Sequence, residues 1–154
     1  MTSRTSDNSD SLREQNMVID HLGIVVASIE EGVAHWENVF GYRQMTDVVI
    51  NSRQKVKVVF LSKERSLTVK LVEPIDRTSP AHNLARRGGG LHHICFRCED
   101  IDRELSRLTQ MGLRVLRKPE PGEAFENEKI AFVYGKLGLN LELIDTDKKA
   151  KRRY

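Results

Sequence analysis

Four polar residues stand in two pairs at one spacing: His21 with His93, and Lys70 with Glu142, each pair 72 positions apart. Two imidazoles, a carboxylate and an ammonium aimed into one cleft would form a chemical site. Imidazole nitrogen and carboxylate oxygen suit zinc, cobalt, nickel, manganese or iron, so His21, His93 and Glu142 are candidate ligands for one divalent metal ion. Lys70 opposes that ion, because a protonated ammonium has no lone pair to give a cation. Arg97, on the strand face of His93, is a candidate substrate-binding anchor for a carboxylate or phosphate.

The spacing belongs to the whole chain. The same offset carries Ile29 onto Ile101, Lys57 onto Lys129, Phe60 onto Phe132 and Leu71 onto Leu143. KVVFL reads against KIAFV, and VKLVE against LELID. One long period seen twice means two copies of a supersecondary module rather than a solenoid. Duplicated modules pack about a pseudo-twofold axis, which brings equivalent residues together. The expected fold class is α+β: paired βαβββ modules forming a curved, cup-shaped mixed sheet.

Each module reads as a strand, a helix, then three strands. Residues 17–27 alternate as a strand with His21, Gly23 and Val25 on one face. Ser28-Ile-Glu-Glu31 is a capping box opening a helix whose apolar stripe is Ile29, Val33, Trp36 and Phe40, with Gly41 at its end. Strands are expected near Arg43–Val49, Lys55–Leu61 and Leu67–Glu73. In the second copy, 91–98 is a strand and Asp100 caps a helix with Ile101, Leu105, Leu108 and Met111 on one face. Strands follow near Arg114–Arg117, Lys129–Tyr134 and Asn140–Asp145. Residues 119–128 form the longest interruption and are expected to act as a lid over a cleft. His92 neighbours His93 and is expected on the opposite face; His35 and His82 belong to helical or linker segments.

At 154 residues, with 39% hydrophobic and 31% charged residues, the chain suits one compact domain with an ordinary core. The expected division is a disordered leader at 1–16, a single domain at 17–147 and a basic tail at 148–154. Within the domain, module one spans 17–75, a linker 76–89 and module two 90–147. The net charge is only +3, and KKAKRR is the one basic run, expected to be solvated; no nucleic acid partner is implied. No apolar stretch approaches the roughly 20 residues that span a bilayer, so no membrane partner and a cytoplasmic location are expected. Cys95 and Cys98 lie three apart on a strand. That places their Cα atoms roughly 10 Å apart, beyond disulfide reach.

Several of these segments are those of a known family. IDHLGIVV, KVKVVFL, LVEPI with TSPAHNLARRGGGLHHICFR, and LNLELID together resemble the vicinal oxygen chelate (glyoxalase, bleomycin resistance, dioxygenase) superfamily, and within it the methylmalonyl-CoA epimerases. The resemblance implies a metal site at His21, Lys70, His93 and Glu142; three of these match the family's ligands and Lys70 does not. Val58 stands where some epimerases carry a glutamate base. The resemblance also implies a homodimer.

It implies, in addition, an isomerase or lyase acting at the carbon α to the carbonyl of an acyl-CoA or related acyl thioester or acid, through an enediolate stabilised by metal or lysine, with Glu142 and Lys70 as the candidates for catalytic proton transfer. Two other classes stay open. One is a glyoxalase-like or dioxygenase-like enzyme of the same superfamily. The other is a metal-free protein that binds a small molecule.

Overall fold

Hydrophobic alternation sets the central strand. In β1 (Val18–Val25) every second residue from His21 onward is buried, giving one face of His21, Gly23 and Val25. The structure, a computed structural model, describes residues 16–154; the expected leader lies outside the described residues apart from Asn16. After β1 come α1 (Ile29–Phe40), β2 (Arg43–Gln44), β3 (Val49–Asn51), β4 (Val56–Ser62), β5 (Thr68–Pro74) and α2 (His82–Arg86). The second half contains β6 (Gly90–Arg97), α3 (Ile101–Gln110), β7 (Arg114–Gly122), a 3-10 turn (Glu123–Phe125), β8 (Glu128–Tyr134) and β9 (Asn140–Ile144).

The nine strands form one open mixed sheet in the order β2-β4-β5-β1-β6-β9-β8-β7, with β3 also on β4. That order reads the same from both ends once each strand is replaced by its repeat equivalent. β1 and β6 meet antiparallel at the centre, β5 lies parallel to β1, and β9 lies parallel to β6. The two copies are thus related about the β1–β6 seam, as the 72-residue offset requires.

Both long helices start as expected. The Ser28 side chain accepts from the Glu31 amide and Asp100 from the Arg103 amide, while Gly41 closes α1 in the left-handed region. Such caps each contribute about 1 kcal/mol. Each helix covers the convex face of its own half. α1 lies over Val59, Leu61, Val69 and Leu71; α3 lies over Ala131, Val133, Leu141 and Leu143. The concave face encloses a separate core that includes Val58, Phe60, Cys95, Phe125 and Ile144.

Several expectations need correction. The strand placed at Arg43–Val49 is two short pieces, because Thr46 turns inward and its hydroxyl accepts from the Phe60 amide. Phe40 and Met111, at the last turn of each helix, are exposed. Phe40 packs instead on His35 and Trp36 of its own helix. The lid at 119–128 is a built wall: β7 runs on to Gly122, and Ala124 and Phe125 are fully buried. The tail is not free either, for Lys149 is 7% exposed and Ala150 packs on the concave core. Cys95 and Cys98 are buried free thiols. No helix among the described residues is long and apolar enough to cross a membrane.

Candidate functional site

The seam brings the four offset residues together. His21 on β1 is paired across to Cys95, His93 on β6 to Gly23, and Glu142 on β9 to Cys95. Lys70 on β5 is paired with Gly23 from the other side. Gly23 is required by close approach: a Cβ there would lie 2.0–2.4 Å from the His93 ring. Its lack of a side chain is the space that His93 fills.

Glu142 is the hub. Its Oε2 lies 2.8 Å from His93 Nε2, 3.4 Å from His21 Nε2 and 3.2 Å from Lys70 Nζ. His21 and Glu142 are fully buried, with Lys70 at 1% and His93 at 3% exposure. Burial alone would raise the Glu142 carboxyl. The Lys70 ammonium and the His93 contact outweigh it and hold the group well below the usual carboxylate range. Burial, only partly countered by Glu142, pushes His93 down to about 4, so its ring is neutral at pH 7.

Neutrality fixes the direction of the hydrogen bonds. A carboxylate only accepts, so His93 donates from Nε2 to Glu142 and keeps a lone pair at Nδ1. His92 Nδ1 lies 2.9 Å from that atom and is therefore the donor, leaving His92 Nε2 as an acceptor. His92 is on the same side as His93 because β6 slips register there: Gly23 pairs with His93, but Ile24 pairs with Leu91. His92 is the extra residue of a bulge, and bulges re-aim side chains. The opposite-face expectation for His92 fails for that reason. Desolvation lowers its pKa as well.

A second slip on β1 leaves Asp20 out of the ladder between Ile19 and His21. Its carboxylate accepts from His21 Nδ1 at 2.7 Å and from Lys149 Nζ at 3.1 Å. No spacing rule pointed to Asp20, His92 or Lys149, since each depends on an irregularity or on a long-range return of the chain.

In front of the hub lies a mostly apolar cavity of about 340 Å³. Lys70, His92 and His93 face it, together with Val58, Phe132, Gln54, Arg117 and Asn140. His21 and Glu142 lie behind that wall. Arg97, half-buried on β6 beside Val18 and Ile144, is not in it. The guanidinium at the cavity is that of Arg117, braced by Glu120 Oε1 at 3.1 Å.

His21, His93 and Glu142 have donor atoms gathered as for one metal ion. Two of the separations match the edge of about 3.4 Å that bonds of about 2.1 Å give in a tetrahedral site. The charge does not match. Lys70 Nζ contacts the same Oε2 that would bind the ion, and an ammonium within about 4 Å of a divalent cation costs several kcal/mol even at an effective dielectric of about 20. Asp20 and Glu142 carry two negative charges, and Lys70 and Lys149 bring two positive ones. The donor set fits a divalent ion in spacing but not while Lys70 keeps its charge.

Fold and site together define a class. A model of the Glyoxalase/Bleomycin resistance protein/Dioxygenase superfamily matches residues 20–132, and the chain belongs to that superfamily. It is 34% identical to the uncharacterized protein YqjC of Bacillus subtilis (strain 168) over 116 residues, covering 75% of this chain and 81% of that protein. It is 28% identical over 120 residues to the ethylmalonyl-CoA/methylmalonyl-CoA epimerase of Cereibacter sphaeroides, covering 77% and 88%. Among solved structures, the methylmalonyl-CoA epimerase of Mycobacterium tuberculosis superposes with a TM-score of 0.73 at 27% identity, covering 82% and 86%. A methylmalonyl-CoA epimerase in complex with methylmalonyl-CoA and NH4+ superposes at 0.74 and 26%, covering 88% and 97%.

Proposed function

We propose that the protein is an epimerase-type isomerase that removes and returns the proton α to the carbonyl of an acyl-CoA or related acyl thioester. The observation that carries this reading is the cavity wall. Three proton-bearing groups, His92, His93 and Lys70, face an apolar space. His93 and Lys70 contact one buried carboxylate, and His92 is linked to it through His93. Similarity to acyl-CoA epimerases supports the substrate class. In this reading the thioester carbonyl lies toward Lys70, whose ammonium stabilises the enediolate oxygen as charge develops there. His92 Nε2 takes the α-proton while its Nδ1 proton passes to His93 Nδ1. The His93 Nε2 proton then passes to Glu142.

Lys70 is the second donor at the wall and returns a proton to the other face of the planar intermediate. Glu142, in contact with Lys70, then restores the ammonium. The proton count balances over one turnover, with Glu142 storing one proton without touching substrate. The two rings end with their protons on the opposite nitrogens, and a reverse turnover entered from Lys70, or exchange with solvent, returns them. Arg117 anchors a carboxylate or phosphate of the substrate, the role expected of Arg97.

The test is α-proton exchange of methylmalonyl-CoA in D2O, followed by NMR. Exchange by the wild type, with at least about a hundredfold loss in His92→Asn and Lys70→Met, is the expected result. No exchange with methylmalonyl-CoA, ethylmalonyl-CoA or propionyl-CoA removes the reading. Saturable binding of those thioesters without exchange would favour a metal-free binding protein instead, a reading the Lys70–Glu142 pair also suits.

A further inference from the structure

The segment after β9 returns across the molecule and is held by its backbone. The Ala150 amide donates to the Ala124 carbonyl, the Asp47 amide to Lys151 and the Arg153 amide to Met45, each at 2.9 Å. Thr46 and Arg152 form an antiparallel bridge, and Arg153 Nε pairs with Asp47 Oδ1 at 2.7 Å. These bonds fix residues 146–153 as a strap and drive one of its lysines inward. Lys149 Nζ lies 5.3 Å from the ring centres of both Phe60 and Phe125. The same two rings enclose His21, edge-on to Phe60 at 5.2 Å and nearly stacked on Phe125 at 6.0 Å.

A buried ammonium costs several kcal/mol unless it is paired, and a strap made only to cover the core would bury an apolar residue there. Here the ammonium meets the Asp20 carboxylate through both oxygens, at 3.3 Å and 3.1 Å. Asp20 in turn meets His21 Nδ1. A carboxylate on the rear nitrogen of an imidazole sets which tautomer the ring adopts and where its front lone pair points.

We infer that Lys149 is a positioning residue for the site: docked by the strap, it holds the Asp20 carboxylate against His21 and so fixes that ring as the Nδ1–H tautomer, with Nε2 turned to Glu142 and His93. It acts through Asp20 and touches no substrate. The inference concerns the resting protein and does not depend on the reaction proposed above.

The test reads the ring and not turnover. Two-bond 1H–15N correlation spectra of the histidine-labelled protein report each imidazole's tautomer. The wild type shows His21 as a single Nδ1–H form. Lys149→Met loses that single form, with the His35 and His82 signals unmoved, and Lys149→Arg restores it. Unchanged His21 signals in a folded Lys149→Met protein overturn the inference. So does a loss that Lys149→Arg fails to restore, because the stem's packing and not its charge would then be responsible. Should Lys149→Met not fold, the Asp20→Asn/Lys149→Met double variant decides. Recovered folding supports the charge-holding role, and continued failure refutes it.

Discussion

Lys70 is where this chain parts from a plain metal site, and its effect is measurable as charge. Lys70→Gln and Lys70→Glu remove the repulsion and offer an oxygen ligand, so both are expected to bind Zn2+ or Co2+ at least about tenfold more tightly than wild type by calorimetry. Equal or weaker binding in both would mean that Lys70 does not govern the ion. His93 gives a second handle. Its folded pKa of about 4 lies below the ordinary 6.5, so the folded state binds fewer protons than the unfolded chain. The stability it contributes is complete above about pH 6.5 and is lost as pH falls toward 4, amounting to about 3 kcal/mol. Urea titrations between pH 7 and 4.5 should show that decline, and a flat profile would contradict it. Sequence spacing found His21, Lys70, His93 and Glu142 because all four sit in regular ladder positions, where a face can be counted. It missed His92 and Asp20 because each occupies a bulge, where counting by twos fails. It pointed to Arg97 because that residue shares the strand face of His93, and only the three-dimensional course of β7 shows that Arg117 reaches the cavity.

The strands that carry the four site residues, the helix caps and the module order were readable because each rests on local chemistry with a fixed period. Two segments were not. Residues 119–128 contain prolines, a glycine and charges, the composition of a loop, yet Gly122 and Phe125 pack closely against Ile130 and His21. The fate of such a stretch depends on contacts far away in sequence. Phe125→Ala tests the outcome directly. Loss of a fully buried ring should cost about 3–5 kcal/mol in urea unfolding, whereas a mobile lid would lose under about 1 kcal/mol. The C-terminal run KKAKRR reads as solvated because five of its six residues have long side chains and charge. Ala150 is the exception, and it packs on the core while Lys149 beside it finds Asp20.

At the scale of the molecule, the seam between β1 and β6 places the chemistry between the two halves rather than inside either one. The homodimer expected from family resemblance is checked by light scattering at micromolar concentration. Twice the chain mass is the expected result, and a monomer would overturn it. The palindromic strand order has one more consequence. Lys70 and Glu142 occupy equivalent positions across the pseudo-twofold, and the contact between them closes the site. Two identical half-length chains related by a true twofold would bring lysine against lysine there, or glutamate against glutamate. Like charges buried at that separation would force the halves apart. Covalent fusion lifts this restriction, since each half can then change on its own. The tandem chain thus holds a dipolar centre that no symmetric assembly of its own halves could form.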